Sequence, residues 1–388
     1  MKAKAVMVAY RNLSGVQTQA IRTVEQTPQV GSRILSDLNR APQFRSNLDS
    51  ALPSLLRSRY AMLDARRFNA RPSAWLASLL FVILVAGCGG DDDRTPNPGQ
   101  TGSVTGDSTT GSTVAEAGAP AVTGVMATDG YNWFNFRRQQ MGLAPIARNA
   151  QIDKAAQAHS DYQAINDTIT HDEVSTRRGF TGVTVQNRLR AAQYEFPPTN
   201  YAYGEVISAT ADTNGVGAAE DLIAAIYHRF VIFEPKFLET GAASATAGSG
   251  YTYFTTKFAT RTLDQGGLGR GRLVTYPVQD QQNLPTVFYS NQEQPDPVPD
   301  RNEVGYPVSV HADITSRLTV TSFTISPRGG GALATTLLTF EEDRNISEPS
   351  VASIIPLAVL QPQTVYDVRF VGAVDDAPVT RAWSFRTR

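Results

Sequence analysis

The sequence carries one cysteine in 388 residues. No internal disulfide can form, and no cysteine-rich metal centre can be assembled. Histidine is scarce as well, with four residues, so any imidazole site must be built from very few side chains. The formal net charge is −1 and no long basic run appears, which argues against a nucleic-acid partner held by phosphate neutralisation. There is no His-Glu-x-x-His motif, no Gly-x-Ser-x-Gly nucleophile turn and no phosphate-cradling glycine loop. No apolar run reaches the roughly 20 residues that a membrane-spanning helix needs.

What is present begins with "LLFVILVAGCGGDDD" at 79–93. Residues 74–86 form a short apolar run, preceded by Arg66, Arg67 and Arg71 and closed by Ala86 and Gly87. Basic flank, apolar stretch and small residues together describe a secretory signal peptide. Val85-Ala86-Gly87-Cys88 resembles a bacterial lipobox, which implies that Cys88 becomes the first mature residue and carries acyl chains. Anchoring by more than one chain is stable, at about 0.8 kcal/mol per buried CH₂. Gly89, not aspartate, follows the cysteine, so the resemblance points to the outer membrane. A buried core helix with an incidental thiol is the plainer alternative, but it leaves the position of the only cysteine unexplained.

Signal peptides start near the beginning of a chain, and Met62 stands 26 positions before Cys88. Residues 1–61 hold nine Lys/Arg against three Asp/Glu, unlike the balanced remainder. The expectation is an upstream over-read at 1–61, a lipoprotein signal peptide at 62–87 and a flexible tether at 88–122. The tether is rich in Gly, Ser and Thr and too polar to bury a core.

Order is expected from Thr123. "TDGYNWFNFRRQQMGL" predicts a helix capped by Thr128 or Asp129 and ended by Gly142. "NAQIDKAAQAHSDYQAIN" predicts a second, with Asn149 as N-cap and with Ile152, Ala156 and His159 on one face. "GAAEDLIAAIYHRF" predicts a third, whose stripe is Leu222, Ile226 and Phe230. "YGEVISAT" and "GYTYFTTKFAT" predict strands. Helices and strands mix without βα alternation, which gives an α+β class.

These segments resemble, in order, a CAP (SCP/pathogenesis-related) domain over residues 123–262. Asn135, Arg138, Gly142, Leu143 and Pro145 resemble its opening. "AAQAHSDY", Thr170-His171, "NRLRAAQY", "YGEVI" and "IYHRFVIFEP" follow in the family order. The resemblance implies an α-β-α sandwich with a cleft of two histidines and two glutamates. His171, Glu205 and His228 match three of those positions. The fourth has no match, because "GFTGVTVQNRLR" holds no acid, and Glu173 lies too close to His171 to substitute cleanly.

Two imidazoles and a carboxylate can hold Zn²⁺ or another divalent metal with a coordination position open. His with Glu can also act as an acid/base pair, which makes the same three residues the catalytic candidates. His159 reads as a core histidine and His311 as a surface strand residue. Tyr201, Tyr203, Tyr227, Tyr251 and Tyr253 read as packing in preference to cleft lining.

"PDPVPD" at 295–300 marks a break. Beyond it, Leu318/Val320, Phe323/Ile325, Tyr366/Val368/Phe370 and Trp383/Phe385 alternate with polar residues, which predicts a small β-sandwich over 301–388. "LQPQTVYDVRF" with "WSFRT" is similar to the closing strands of bacterial Ig-like modules. Residues 263–300 read as a linker or an extended arm.

The sequence therefore describes a lipid-anchored envelope protein whose cleft binds an unidentified ligand or protein. Binding is placed ahead of catalysis. A metal-assisted hydrolase of peptide or envelope polymer is one alternative, and a scaffold without cleft chemistry is the other.

Overall fold

The computed structural model describes residues 116–388 in full, and the backbone of residues 4–12 and 18–19. Cys88 and the expected signal peptide lie outside the described residues. Among the described residues no helix is long and apolar enough to cross a membrane.

The N-terminal backbone forms β1 (Lys4–Asn12) and β2 (Thr18–Gln19). The chain is next described at Glu116, inside the stretch expected to be a tether. There Glu116 pairs with Arg137 at 2.7 Å. Helix α1 (Met126–Gln140) buries Trp133, Phe134 and Phe136. Neither expected residue caps it. Val125 takes the N-cap position and has no side-chain acceptor to offer, while the Asp129 carboxylate accepts from Thr123 N, Thr123 Oγ1 and Gly124 N at 2.7–2.9 Å. Gly142 follows the helix at φ +80°, the left-handed conformation that stops a helix at little cost in glycine.

After β3 (Ala147–Arg148), helix α2 (Ala150–Asn166) starts as predicted, with Asn149 accepting from Gln151 N and Ile152 N. Helix α3 (Val185–Ala191) opens with a reciprocal Thr184/Asn187 capping box. The third predicted helix is two. α4 (Gly215–Ala224) and α5 (Ile226–Ile232) meet at Ala225, whose backbone is extended (φ −68°, ψ 115°). The break frees three N–H groups at the head of α5, and a buried carboxylate, Glu293, accepts all three.

Strands β4 (Tyr201–Thr210), β5 (Glu239–Thr246) and β6 (Thr252–Thr260) form the antiparallel centre of a sheet ordered β1-β4-β6-β5-β3, extended beyond β1 by β10 (Glu293–Gln294). Successive strand residues face opposite sides. On one side Gln163 of α2 reaches Thr255 Oγ1 at 3.0 Å. On the other, Phe134 of α1 packs on Phe254 and Phe258, with centroids 6.2 and 6.0 Å apart. Helices therefore cover both faces, the α-β-α arrangement of an α+β fold. Gly241 is required at one close approach, since a Cβ there would meet the backbone of Ile152 and Asp153.

The remaining strands are β7 (Val274–Tyr276), β8 (Gln281–Leu284), β9 (Phe288–Tyr289), β10 (Glu293–Gln294), β11 (Glu303–Val304), β12 (Val308–His311), β13 (Leu318–Pro327), β14 (Thr335–Thr339), β15 (Val351–Pro356), β16 (Val365–Val374) and β17 (Ala377–Thr387). Two four-stranded sheets result, β14-β15-β12-β7 and β13-β16-β17-β8. Phe323, Ile325, Tyr366, Val368, Phe370, Trp383 and Phe385 are buried, as their alternation predicts. The segment read as a linker or an extended arm is built in, since β7 and β8 supply one edge of each sheet. The sandwich thus draws strands from upstream of the proline-rich break.

His311 corrects its expected surface position. It is fully buried, 2.9 Å from Ser309 Oγ and packed edge-on against Phe230 and Phe233. That packing belongs to a core shared between the sandwich and the α/β layers. Arg229 joins them too, donating to Pro307 O at 2.7 Å and lying over the rings of Tyr276 and Tyr306.

Candidate functional site

His171 lies in the loop between α2 and α3, and Glu205 at the middle of β4. The structure brings them together: His171 Nδ1 is 2.7 Å from Glu205 Oε1. Arg188 of α3 reaches both Glu205 oxygens through Nη2, at 3.1 and 3.2 Å. Lys257 of β6 pairs with the Oε2 atom. Register explains that contact, since Glu205 and Lys257 stand directly opposite across the β4–β6 ladder. All four side chains are buried.

A second acid lies behind this group. Glu173 accepts from Thr181 N and Gly182 N at 2.5 and 3.2 Å and meets His159 Nδ1 at 2.8 Å. His159 is buried as expected, but it is part of a polar network as well as of the core. Its Nε2 is 2.8 Å from Thr170 O. Two carboxylates, Glu173 and Glu205, thus face two cations, Arg188 and Lys257, in one interior.

Burial opposes ionisation of Glu205, but Lys257 and Arg188 outweigh it and hold the carboxyl well below its usual range. Burial pushes Lys257 down to about 8, against the pull of Glu205. Burial, then Arg188, pushes His159 down to about 4, while Glu205 and Glu173 pull the other way. His171 is lowered chiefly by burial, with the Glu205 hydrogen bond resisting. For Glu173, burial works against a lowering carried by His159 and the Thr181 amide.

His228 sits at the head of α5 and does not touch Glu205. Its Nδ1 is 2.8 Å from Glu293 Oε1. It is near enough to His171 to bear on that ring's titration. His171 and His228 are therefore held alike, each by a buried glutamate at Nδ1. In a neutral ring, donation to a carboxylate puts the proton on Nδ1 and leaves Nε2 as an acceptor. Both Nε2 atoms are buried and have no hydrogen-bond partner among the described residues.

The glutamate that holds His228 is Glu293, on β10, outside the stretch in which the sequence was searched for a fourth cleft residue. "SNQEQPDP" carries no pattern that marks it. Lys257 was findable, because a lysine in the middle of "TYFTTKFAT", on the face of Thr255, demands a buried partner. Arg188 lay within a segment already matched and was not assigned a role. The tyrosines are packing: Tyr201 and Tyr203 stack with Phe196, Tyr227 donates to Asp343, Tyr253 donates to Asp167, and Tyr251 packs beside Tyr253.

The donor set fits a metal only in part. Glu205 is saturated by His171, Arg188 and Lys257. Among the described residues no group of three or more His, Cys, Asp or Glu side chains is placed to hold a metal ion.

Residues 131–258 match the family model described as CAP, the cysteine-rich secretory protein family. No curated protein matches the chain. Among solved structures, an SCP-domain extracellular protein of Bacillus anthracis str. Ames is similar at 21% identity, TM-score 0.29, covering 34% of this chain and 39% of that one. An outer surface protein of Borrelia burgdorferi is similar at 17% identity, TM-score 0.29, covering 34% of this chain and 90% of that one.

Proposed function

We propose that the CAP-matched region is a binding domain whose ligand is held at the Nε2 atoms of His171 and His228. One observation carries the reading: two buried imidazoles, each oriented by a glutamate, keep an unpartnered acceptor. Buried acceptors left unpaired cost about 1–3 kcal/mol each, so a pair of them favours a partner supplied from outside. The ligand class is one with hydroxyl or amide donors, such as peptide or envelope glycan polymer. The names of the similar structures and the lipobox-like Cys88 support an envelope or extracellular location, with an acyl anchor in the outer membrane. Glu205 and Glu293 orient the rings and do not themselves contact the ligand. The sandwich acts as a stabilising and spacing module.

A divalent metal on His171 and His228 is the second reading, favoured by the carboxylate-backed imidazoles that metal ligands commonly show. The test uses the full chain with peptidoglycan sacculi and, separately, with Zn²⁺. Co-sedimentation lost in His171→Ala and in His228→Ala supports the first reading. Stoichiometric zinc retention lost in the same variants supports the second. Full retention of sacculus binding in both variants, with no zinc bound by the wild type, contradicts both and leaves a scaffold.

A further inference from the structure

β4 and β10 are not bonded to each other. Between them lies a slot one strand wide, and Lys4–Asn12 fills it. On the β4 side the pairing is antiparallel and runs from Lys4↔Ala209 to Asn12↔Tyr201 without interruption. On the β10 side it is parallel, with Ala5↔Glu293 and Val6↔Gln294. The occupant comes from far along the chain, since residues 13–115 separate it from the helical layers.

We propose that this slot is a binding groove for an extended polypeptide, and that Lys4–Asn12 is its intramolecular occupant. Strand addition explains what the walls offer. Main-chain hydrogen bonds supply affinity that depends little on sequence, and alternate side chains supply selection. β4 is a fixed wall, because its other edge is bonded to β6 along its length. The slot also passes both histidine–glutamate pairs: Glu205 stands opposite Val8 in register and Glu293 opposite Ala5.

A selecting pocket adjoins it. A cavity of about 220 Å³ is lined by Ser208 and Glu293 together with Leu222, Ala225, Val287 and Phe288. Ser208 and Glu293 are the two residues that flank the Ala5 register position. Directly opposed strand residues share a face. A bound strand therefore places its residue at that register position on the cavity's face, and the apolar part of the lining, Leu222, Ala225, Val287 and Phe288, favours a residue larger than alanine. Both expectations of the sequence, translation from Met62 and cleavage at Cys88, remove Lys4–Asn12 and leave the groove open to a peptide in trans; the full chain, with the strand present, shows the groove filled. The groove itself stands on backbone pairing and is independent of what His171 and His228 bind.

The test uses the full chain with Met7→Pro and Val8→Pro together, since proline removes ladder donors within a strand. The probe is a fluorescent peptide, KAVMVAYRN. The double variant is expected to bind it at least about tenfold more tightly than wild type, whose slot is filled. A peptide with leucine at its second position is expected to bind severalfold tighter still, and one carrying both prolines not at all. A folded double variant that binds no better than wild type overturns the proposal. If the variant does not fold, a protease site placed within residues 101–110 of the wild-type chain gives a second test. After cleavage, excess KAVMVAYRN must displace the N-terminal fragment and the proline peptide must not. Failure of displacement overturns the groove while leaving the histidine reading intact.

Discussion

The two regions of the molecule build their interiors from different materials. The α/β region encloses charge: Glu173, Arg188, Glu205 and Lys257, with His159 and His171 among them, all buried. The C-terminal sandwich centres on Phe323, Val368, Phe370, Trp383 and Phe385 and leaves its ion pairs outside, as with Arg328 and Asp367, which are 61% and 44% exposed. A buried charge network is a poor route to stability, because desolvation offsets most of the Coulombic gain. Aromatic packing is an efficient one. The contrast assigns specific geometry to the first region and stability to the second.

Single substitutions break that contrast most visibly. Glu205→Ala strands Lys257 and Arg188 without their shared partner and is expected to cost about 3–5 kcal/mol in urea unfolding at pH 7. Phe370→Ala is expected to cost about the same through the cavity it leaves. The two differ in pH response. The Phe370→Ala deficit stays constant, while the Glu205→Ala deficit shrinks as acid removes the wild-type advantage. Equal pH profiles for the two variants would dissolve the distinction between the regions.

Wild-type acid sensitivity follows with its sign. Glu205 and Glu173 have folded values below the ordinary 4.5. The unfolded chain therefore binds more protons just below that pH, so their contribution is complete above 4.5 and is lost as pH falls through the folded values. A urea midpoint that holds constant from pH 7 down to 3 would contradict it.

Much of this was legible in the sequence, and the illegible parts share a cause. Local signals worked: Asn149 caps its helix, Gly142 ends its helix, and the alternation around Phe370 and Trp383 gives the buried faces. His171 and Glu205, matched through the order of the resembling segments, are hydrogen-bonded in the structure. The break at Ala225 escaped, because helix periodicity runs straight through "AAIYHRF" and the group that stabilises the break, Glu293, is remote in sequence. The same remoteness hid the second glutamate and the contribution of β7 and β8 to the sandwich. His311 was misplaced because alternation gives faces, and β12 is covered on both.

Smaller effects sharpen the picture. Glu293→Gln keeps the shape but weakens three backbone bonds and the His228 contact, and is expected to cost about 1–2 kcal/mol. It is also expected to weaken ligand binding through His228 while leaving the His171 resonances in place. Arg328→Ala, at an exposed pair, is expected to leave the urea midpoint unchanged within error.

The most direct test of the account is the tautomer of the two cleft histidines, read by ¹⁵N chemical shifts in histidine-labelled full-length protein at pH 7, with His171→Ala and His228→Ala for assignment. The account predicts neutral rings protonated at Nδ1, each with a deprotonated Nε2 available to a ligand. Rings protonated at Nε2, or fully charged, would contradict it, because the acceptors on which the proposed binding depends would not exist.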